Sequence, residues 1–181
     1  MRLLAALRPS PEHGSTVCLK RHPFPVSDAA MRTIHPLIRH EPDPENPGWW
    51  TWELPADDRF NATIGKLLVR PEGDKQARCR IIPDKRQSNL GNVAHGGAIL
   101  TFIDMAMFAG GYAAGGDIAF SVTLDLSCQF LSPGKLGQPL DATVEILRET
   151  KRLAFMRGLV VQGDEIVASW TGTLRKGVAP Q

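Results

Sequence analysis

Apolar and polar residues alternate along residues 119–131, which is the pattern of a β-strand with two different faces. The polar face includes Thr123 and Asp125, and a Ser-Pro-Gly sequence at 132–134 ends the run. The apolar face consists of Phe120, Val122, Leu124, Leu126, Cys128 and Phe130. The sequence therefore predicts one long strand whose apolar face is buried.

Shorter runs predict five more strands, separated by turn sequences such as Pro-Glu-Gly-Asp at 71–74. Between the second and third of these runs, residues 97–112 are nearly all apolar, which predicts a helix buried on all sides. The predicted bounds of the five strands are 65–70, 76–82, 139–148, 153–161 and 166–174.

The order of these elements is two strands, one long helix and then four strands with short connections. Short connections favour antiparallel pairing, because parallel strands need long crossover segments. The sequence therefore predicts an α+β fold in which an antiparallel β-sheet wraps around a long central α-helix. A parallel fold with repeated crossover helices does not fit this order.

The N-terminal quarter of the chain differs from the rest. Eight of the 14 prolines lie between Pro9 and Pro47, and no sustained hydrophobic period is present there. This composition predicts an extended or flexible arm followed by one folded domain. The predicted bounds are 1–48 for the arm, 49–176 for the domain and 177–181 for a tail.

Composition and charge narrow the class of protein. A 181-residue chain with 43% hydrophobic and 22% charged residues fits one soluble globular domain. A net charge of +2 with scattered basic residues gives no indication of nucleic-acid binding. The three cysteines are widely spaced, which favours a reducing compartment without disulfides. The apolar run at 1–7 is too short for a signal peptide, so we expect a cytoplasmic protein.

The glycine-rich segment 89–97, Asn-Leu-Gly-Asn-Val-Ala-His-Gly-Gly, directly precedes the apolar helix. Backbone N–H groups at a helix start are unpaired and lie at the positive end of the helix dipole, where they bind an anion or a polarised carbonyl oxygen. Gly96 and Gly97 are the candidates, although glycine is also common where a chain turns closely. His95 could equally order the loop, and Asn89 could be a turn former or could orient a carboxylate or a water.

Asp104 is the only carboxylate within the apolar helix, and it shares one face with Thr101. Acids in apolar surroundings are enriched at functional sites. The simpler alternative is a carboxylate that reaches solvent at a groove or caps a neighbouring loop. Thr123 is first a strand residue and second a catalytic candidate. A carbonyl-binding turn coupled to a lone carboxylate indicates acyl chemistry.

The sequence lacks the motifs of several other classes of enzyme. The chain contains no G-x-S-x-G, no Walker loop and no G-x-G-x-x-G, and His95 has no evident nucleophile partner. Because His95 is the only histidine after residue 40, a multi-histidine metal site in the folded part is excluded. Residues 96–114 approach the length of a membrane span, but the central acid and the lack of basic flanks disfavour one.

The pattern Asn89-x-Gly91-x-x-x-His95-Gly96-Gly97, with Asp104 nine residues after the histidine, resembles the hotdog-fold acyl-CoA thioesterases of the phenylacetic-acid-degradation type. Residues 122–126 and 130–134 are also similar, and the likeness spans 60–174. The resemblance implies a hotdog fold, a homodimer whose two sheets join edge to edge, and frequent pairing of dimers into tetramers. It implies an acyl-CoA substrate and no cofactor.

The resemblance also implies roles for the candidate residues. The glycine turn, chiefly the N–H of Gly97 or its neighbour Gly96, would polarise the thioester carbonyl of a substrate bound between subunits. Asp104 of the partner chain would act as general base or as nucleophile. The remaining implied site residues are His95 in the turn, Asn89 orienting the acid or water, Thr123 holding water, and Lys135 and Arg152 binding CoA phosphates.

Two rival functions occur on the same fold, and the second lacks its catalytic spacing in this sequence. One is a non-catalytic module that binds or senses acyl-CoA, although no effector domain is evident in the sequence. The other is a hydratase or dehydratase, which commonly uses histidine as base with a different spacing. The chain departs from the family in its proline-rich arm, in Lys151, where relatives often have glycine, and in the cluster Trp49, Trp50 and Trp52. We expect these tryptophans to pack on the core or on a partner subunit, and it stays open whether one of them narrows the acyl pocket.

Overall fold

A computed structural model describes residues 34–54 and 59–177. The predicted strands and the predicted helix are all present, and one short strand precedes them. The elements are β1 (Trp50–Thr51), β2 (Leu68–Gly73), β3 (Gln76–Ile81), α1 (Gly96–Ala113), β4 (Val122–Phe130), β5 (Leu140–Glu149), β6 (Leu153–Gln162) and β7 (Glu165–Arg175).

The seven strands form one antiparallel sheet in the order β1-β2-β3-β5-β6-β7-β4. Strand β4, the first after the helix, lies at the far edge of the sheet and pairs only with β7. Its register runs from Val122 opposite Arg175 to Phe130 opposite Ala168. The connection through α1 therefore crosses the sheet, and the predicted class, an antiparallel sheet around one central helix, is confirmed.

The helix supplies the centre of the core. Phe102, Ile103, Ala106 and Met107 are fully buried against the sheet. Close approach is possible because α1 carries glycine at the contact, where a Cβ on Gly110 would lie 2.4 Å from Val144 Cγ2. By length and composition α1 is the one helix, among the residues the structure describes, that is long and apolar enough to cross a bilayer.

The prediction that α1 is buried on all sides is wrong along one stripe. Thr101, Asp104, Met105 and Phe108 are only half-buried. Three of these side chains, those of Asp104, Met105 and Phe108, line an open cleft beside the sheet. The apolar residues of α1 therefore have two functions: most of them pack in the core, and Met105 and Phe108 line a cleft.

Strand β4 also differs from expectation. Its alternation is correct, but the apolar face is not covered within one chain: Val122 is 46% exposed, Leu124 55% and Phe130 51%. Only Leu126 and Cys128 pack against the core, because the helix lies over the middle of the sheet and β4 forms its edge. A bulge between Thr123 and Asp125 interrupts the pairing with β7.

Residues 34–48, which the sequence assigns to the arm, lie beside β1. Arg39 pairs with Glu53 and Pro42 with Trp50, so this segment covers the outer edge of β1. Residues 1–33 of the predicted arm and 178–181 of the predicted tail lie outside the described residues.

The tryptophans have separate environments. Trp49 is 5% exposed, and the guanidinium groups of Arg70 and Arg80 both lie over its ring, with Cζ atoms 4.6 and 4.5 Å from the ring centroid. Trp52 packs against the core, as expected, and Trp50 is 39% exposed.

Candidate active site

The turn that starts α1 is held by His95. This residue is the N-cap, and its Nδ1 accepts a hydrogen bond of 2.9 Å from the Gly97 N–H. A ring nitrogen that accepts carries no proton, so the other ring nitrogen, Nε2, holds the hydrogen of the neutral ring. The His95 N–H in turn donates to the Gln87 carbonyl at 2.7 Å. His95 thus orders the loop, which is one of the two roles considered for it.

This cap changes which amide is available. The Gly97 N–H, the chief candidate for polarising a carbonyl, already has an acceptor in His95. The Gly96 N–H makes no hydrogen bond to any residue of the described ranges 34–54 and 59–177. As the first amide of the helix, Gly96 therefore offers a free donor at the positive end of the dipole.

Asn89 has the turn-forming role. Its Oδ1 accepts from the Gly91 N–H at 2.8 Å, and its N–H donates to the Val93 carbonyl at 2.9 Å. Asn92 within this turn has φ +54, the left-handed conformation that asparagine tolerates. Asn89 shares a groove of about 360 Å³ with Gly96 but does not line the cleft that contains Asp104.

Asp104 and Thr123 form the central contact of the site. The Thr123 hydroxyl donates to Asp104 Oδ1 at 2.7 Å, and Thr123 stands beside the bulge in β4. Thr101 does not take part, since its hydroxyl donates to the Gly97 carbonyl at 2.9 Å. Asp104 is half-buried rather than deeply buried, so the carboxylate reaches solvent at a groove while one of its oxygens is fixed.

The groove at Asp104 is a cleft of about 630 Å³. Volumes of this order enclose a drug-sized ligand. Most of its large apolar side chains come from α1 on one side and the segments flanking β1 on the other, and Arg39 and Glu53 also line it. The principal apolar side chains are Ile38, Trp52, Leu54, Met105 and Phe108. The arrangement is a carboxylate at the wall of an open cleft whose lining is largely apolar.

One chain does not bring the free amide and the acid together. Gly96 and Asp104 are eight residues apart on α1, which is about 12 Å along the helix axis. Gly96 lies beside Phe130 at one end of β4, and Asp104 contacts Thr123 at the other end. To act on one carbonyl group, the hydrogen-bond donor must lie about 3 Å from the carbonyl oxygen, and the base must lie about 3 Å from the atom that attacks the carbonyl carbon. These two groups cannot serve one carbonyl within a single protomer.

The two candidate phosphate-binding residues also lie apart. Lys135 pairs with Val93 next to the glycine turn, and its N–H donates to Gln162 at the end of β6. Arg152 lies in the turn before β6, so the length of that ten-residue strand, roughly 30 Å, separates the two. Their roles in CoA binding stay predictions.

Metal ligands are absent from the described part of the chain: residues 34–54 and 59–177 contain no group of three or more His, Cys, Asp or Glu placed to hold an ion.

Sequence reasoning missed the part of the site contributed by Ile38, whereas it left open that Trp52 narrows the acyl pocket, and Trp52 does line the cleft. Residues 34–48 show no hydrophobic period, and their proline content predicts an arm. The tryptophan cluster was the available signal, because such side chains seldom stay in water.

Comparison with known proteins agrees with this geometry. The family described as the thioesterase superfamily matches residues 91–169, from the glycine turn into β7. Human acyl-coenzyme A thioesterase 13 is 27% identical to this chain over 100 residues, which cover 53% of this chain and 68% of that protein.

Solved structures show the same fold. A mutant of the phenylacetic acid degradation protein PaaI from Thermus thermophilus is 24% identical with a TM-score of 0.56, covering 66% of this chain and 100% of that one. A hypothetical thioesterase from Streptococcus pneumoniae TIGR4, solved with coenzyme A, is 21% identical with a TM-score of 0.56, covering 63% and 88%. The chain therefore has the fold of these structures, and its residues 91–169 match the thioesterase superfamily.

Proposed function

We propose that this protein hydrolyses acyl-CoA thioesters to the free acid and CoA. The observation that carries the proposal is the Asp104–Thr123 pair at the wall of an apolar cleft, on a helix whose first amide is free. The match of residues 91–169 to the thioesterase superfamily supports it. The similarity to human acyl-coenzyme A thioesterase 13 and to a thioesterase solved with coenzyme A favours CoA as the thiol.

Asp104 is proposed to act on the carbonyl carbon. As general base, it takes a proton from a water molecule whose oxygen forms the new bond to that carbon. The π electrons of the carbonyl move to its oxygen, and collapse of this intermediate expels the CoA thiolate, which then takes up a proton. Direct attack by the carboxylate, with later hydrolysis of the anhydride, is the second route. In both routes Thr123 fixes one carboxylate oxygen and leaves the other for the reaction.

The Gly96 N–H is proposed to stabilise the negative charge that develops on the carbonyl oxygen. A backbone donor at a helix start needs no reorganisation during the reaction, which makes it effective against developing charge. Because Gly96 and Asp104 of one chain lie too far apart, we infer that a second copy of the chain supplies one of them.

The free edge of β4 gives the route to such a dimer. Its nine-residue length and exposed apolar side chains are features that monomeric proteins avoid at sheet edges. Antiparallel pairing of β4 with its own copy about a two-fold axis near Leu126 would put Thr123 opposite Gln129 of the partner subunit. Since Gly96 contacts the neighbouring Phe130, the partner's glycine turn would then lie beside Asp104.

Introducing a charged residue at the edge of β4 tests the proposed dimer. We expect Leu124→Lys to yield a monomer with a kcat lowered by about a hundredfold or more, because the charge would be buried and the composite site lost. Analytical ultracentrifugation and thiol release measure the two effects. Leu147→Lys is the matched control, since Leu147 is 49% exposed and also lies at a bulge, in β5. A fully active monomer would contradict the composite site.

Thr123→Val tests the orientation of Asp104. Valine keeps the shape of the side chain but removes the hydrogen bond of 2.7 Å, so we expect kcat to fall about tenfold with little change in KM. Thr123→Ser should keep most of the activity. Thr171→Val, on an exposed strand position of β7, is the control for loss of a strand hydroxyl. Equal rates for Thr123→Val and the wild type would remove Thr123 from the mechanism.

Thiol release from short, medium, long and aromatic acyl-CoAs tests the activity itself, with wild type and Asp104→Asn side by side. Turnover by the wild type and its loss in the variant are the expected results. No release across the panel, together with tight acyl-CoA binding, would replace the hydrolase with a sensing module.

A further inference from the structure

The apolar cleft at Asp104 has a wall that lies outside the matching family region. Ile38 and Trp52 line it, whereas the thioesterase superfamily match begins at residue 91. The opposite wall is Met105 and Phe108 of α1, within the match. The wall formed by residues 34–54 therefore lies outside the part of the chain that matches the family.

This wall is fixed by main-chain pairing. The Arg39 N–H donates to the Glu53 carbonyl at 2.7 Å, and the Glu53 N–H returns a bond of 3.1 Å. The Trp52 N–H donates to the Leu67 carbonyl at 2.9 Å, next to β2. Two segments that are distant in sequence thus form one ordered surface at the cleft.

Aromatic packing behind the wall adds to this order. The His40 ring stacks on Trp50 with centroids 5.1 Å apart and meets the rings of Trp52 and Tyr112 edge-on. Its Nδ1 bonds to the Thr51 carbonyl at 2.8 Å. Burial lowers the pKa of His40, so the ring is neutral at physiological pH and packs as an aromatic group. Trp52 is therefore held from behind while its cleft-facing surface stays open.

We propose that residues 34–54 select the acyl group of the substrate, with Ile38 and Trp52 as specificity-determining residues for an apolar acyl group larger than acetyl. The inference rests on the proposed function, because Asp104 then locates the carbonyl carbon at the cleft. From that point the acyl group extends between α1 and this wall. An acetyl group would leave most of the 630 Å³ unfilled and would gain little from the apolar lining.

Two neighbouring residues make a matched test. Ile38 is half-buried and lines the cleft, whereas Leu37 is 48% exposed and does not. For Ile38→Ala we expect kcat/KM to fall about tenfold with octanoyl-CoA and to change less than about twofold with acetyl-CoA. Leu37→Ala should leave both values unchanged. Trp52→Ala should move the preference toward longer acyl chains, because it lengthens the cavity.

Binding measurements separate this proposal from the hydrolase itself. Calorimetric titration of the same variants, each carrying Asp104→Asn, with octanoyl-CoA and with CoA reports on acyl selection without turnover. A weaker affinity of Ile38→Ala for octanoyl-CoA, with CoA affinity unchanged, would support the wall even if no thioester is cleaved. Equal losses for both acyl groups, or identical behaviour of Ile38→Ala and Leu37→Ala, would overturn it. Thermal unfolding and the milder Ile38→Val variant exclude a folding defect.

Discussion

Asp104→Asn is expected to lower kcat by about a thousandfold while the fold stays intact. General-base or nucleophilic catalysis by a carboxylate contributes effects of about this size, and an amide can supply neither. The change is nearly isosteric, and the amide oxygen still accepts the hydrogen bond from Thr123. Because Asp104 is only half-buried and forms no ion pair among the described residues, the free energy of unfolding should change little.

Thiol release at saturating acyl-CoA measures this loss, and thermal unfolding measures the stability. Asp74→Asn, which neutralises an exposed carboxylate in the β2–β3 turn, serves as the control for charge alone. A kcat within about tenfold of the wild type would show that Asp104 is not the reacting carboxylate.

Gly96→Pro is expected to lower kcat by a hundredfold to about a thousandfold, because it removes the free amide hydrogen at the helix start. Proline is favoured at the first position of a helix, so the substitution does not break α1. His95 has ψ 138, which suits a residue that precedes proline. The variant thus deletes one donor with little change in the backbone.

Gly96→Ala provides the matched control. It retains the N–H and places a Cβ 3.2 Å from Phe130 Cζ, the same contact that the Cβ of proline would make. We expect alanine to reduce kcat by less than about tenfold. If alanine and proline reduce kcat equally, the loss arises from crowding at Phe130 and the amide is not the carbonyl donor.

The fold could be predicted because its elements carry local signals. Strict alternation marked β4, hairpin-length turns separated β5, β6 and β7, and one apolar run marked α1. The observed helix begins at Gly96, one residue before its predicted start, since His95 caps it with a side chain that is unusual for that position.

The site was only partly predictable, because its remaining features depend on tertiary contacts between segments that are separated in the sequence. No local sequence pattern shows that β4 is an edge strand with an exposed apolar face, because the order of the strands depends on how the connection through α1 crosses the sheet. Nor could spacing show that His95 occupies the Gly97 N–H and leaves Gly96 free. The wall formed by Ile38 and Trp52 comes from backbone pairing of irregular segments, which hydrophobic periodicity does not detect.

A composite site between two copies is the central claim, and mixed dimers test it most directly. Asp104→Asn and Gly96→Pro chains, each nearly inactive alone, are unfolded together, refolded and assayed for thiol release. If the acid and the amide come from different subunits, one intact site forms in each mixed dimer, and about a quarter of the wild-type activity should return. If both groups of each site belonged to one chain, every site would keep one defect. Activity no greater than that of the separate variants would contradict the account.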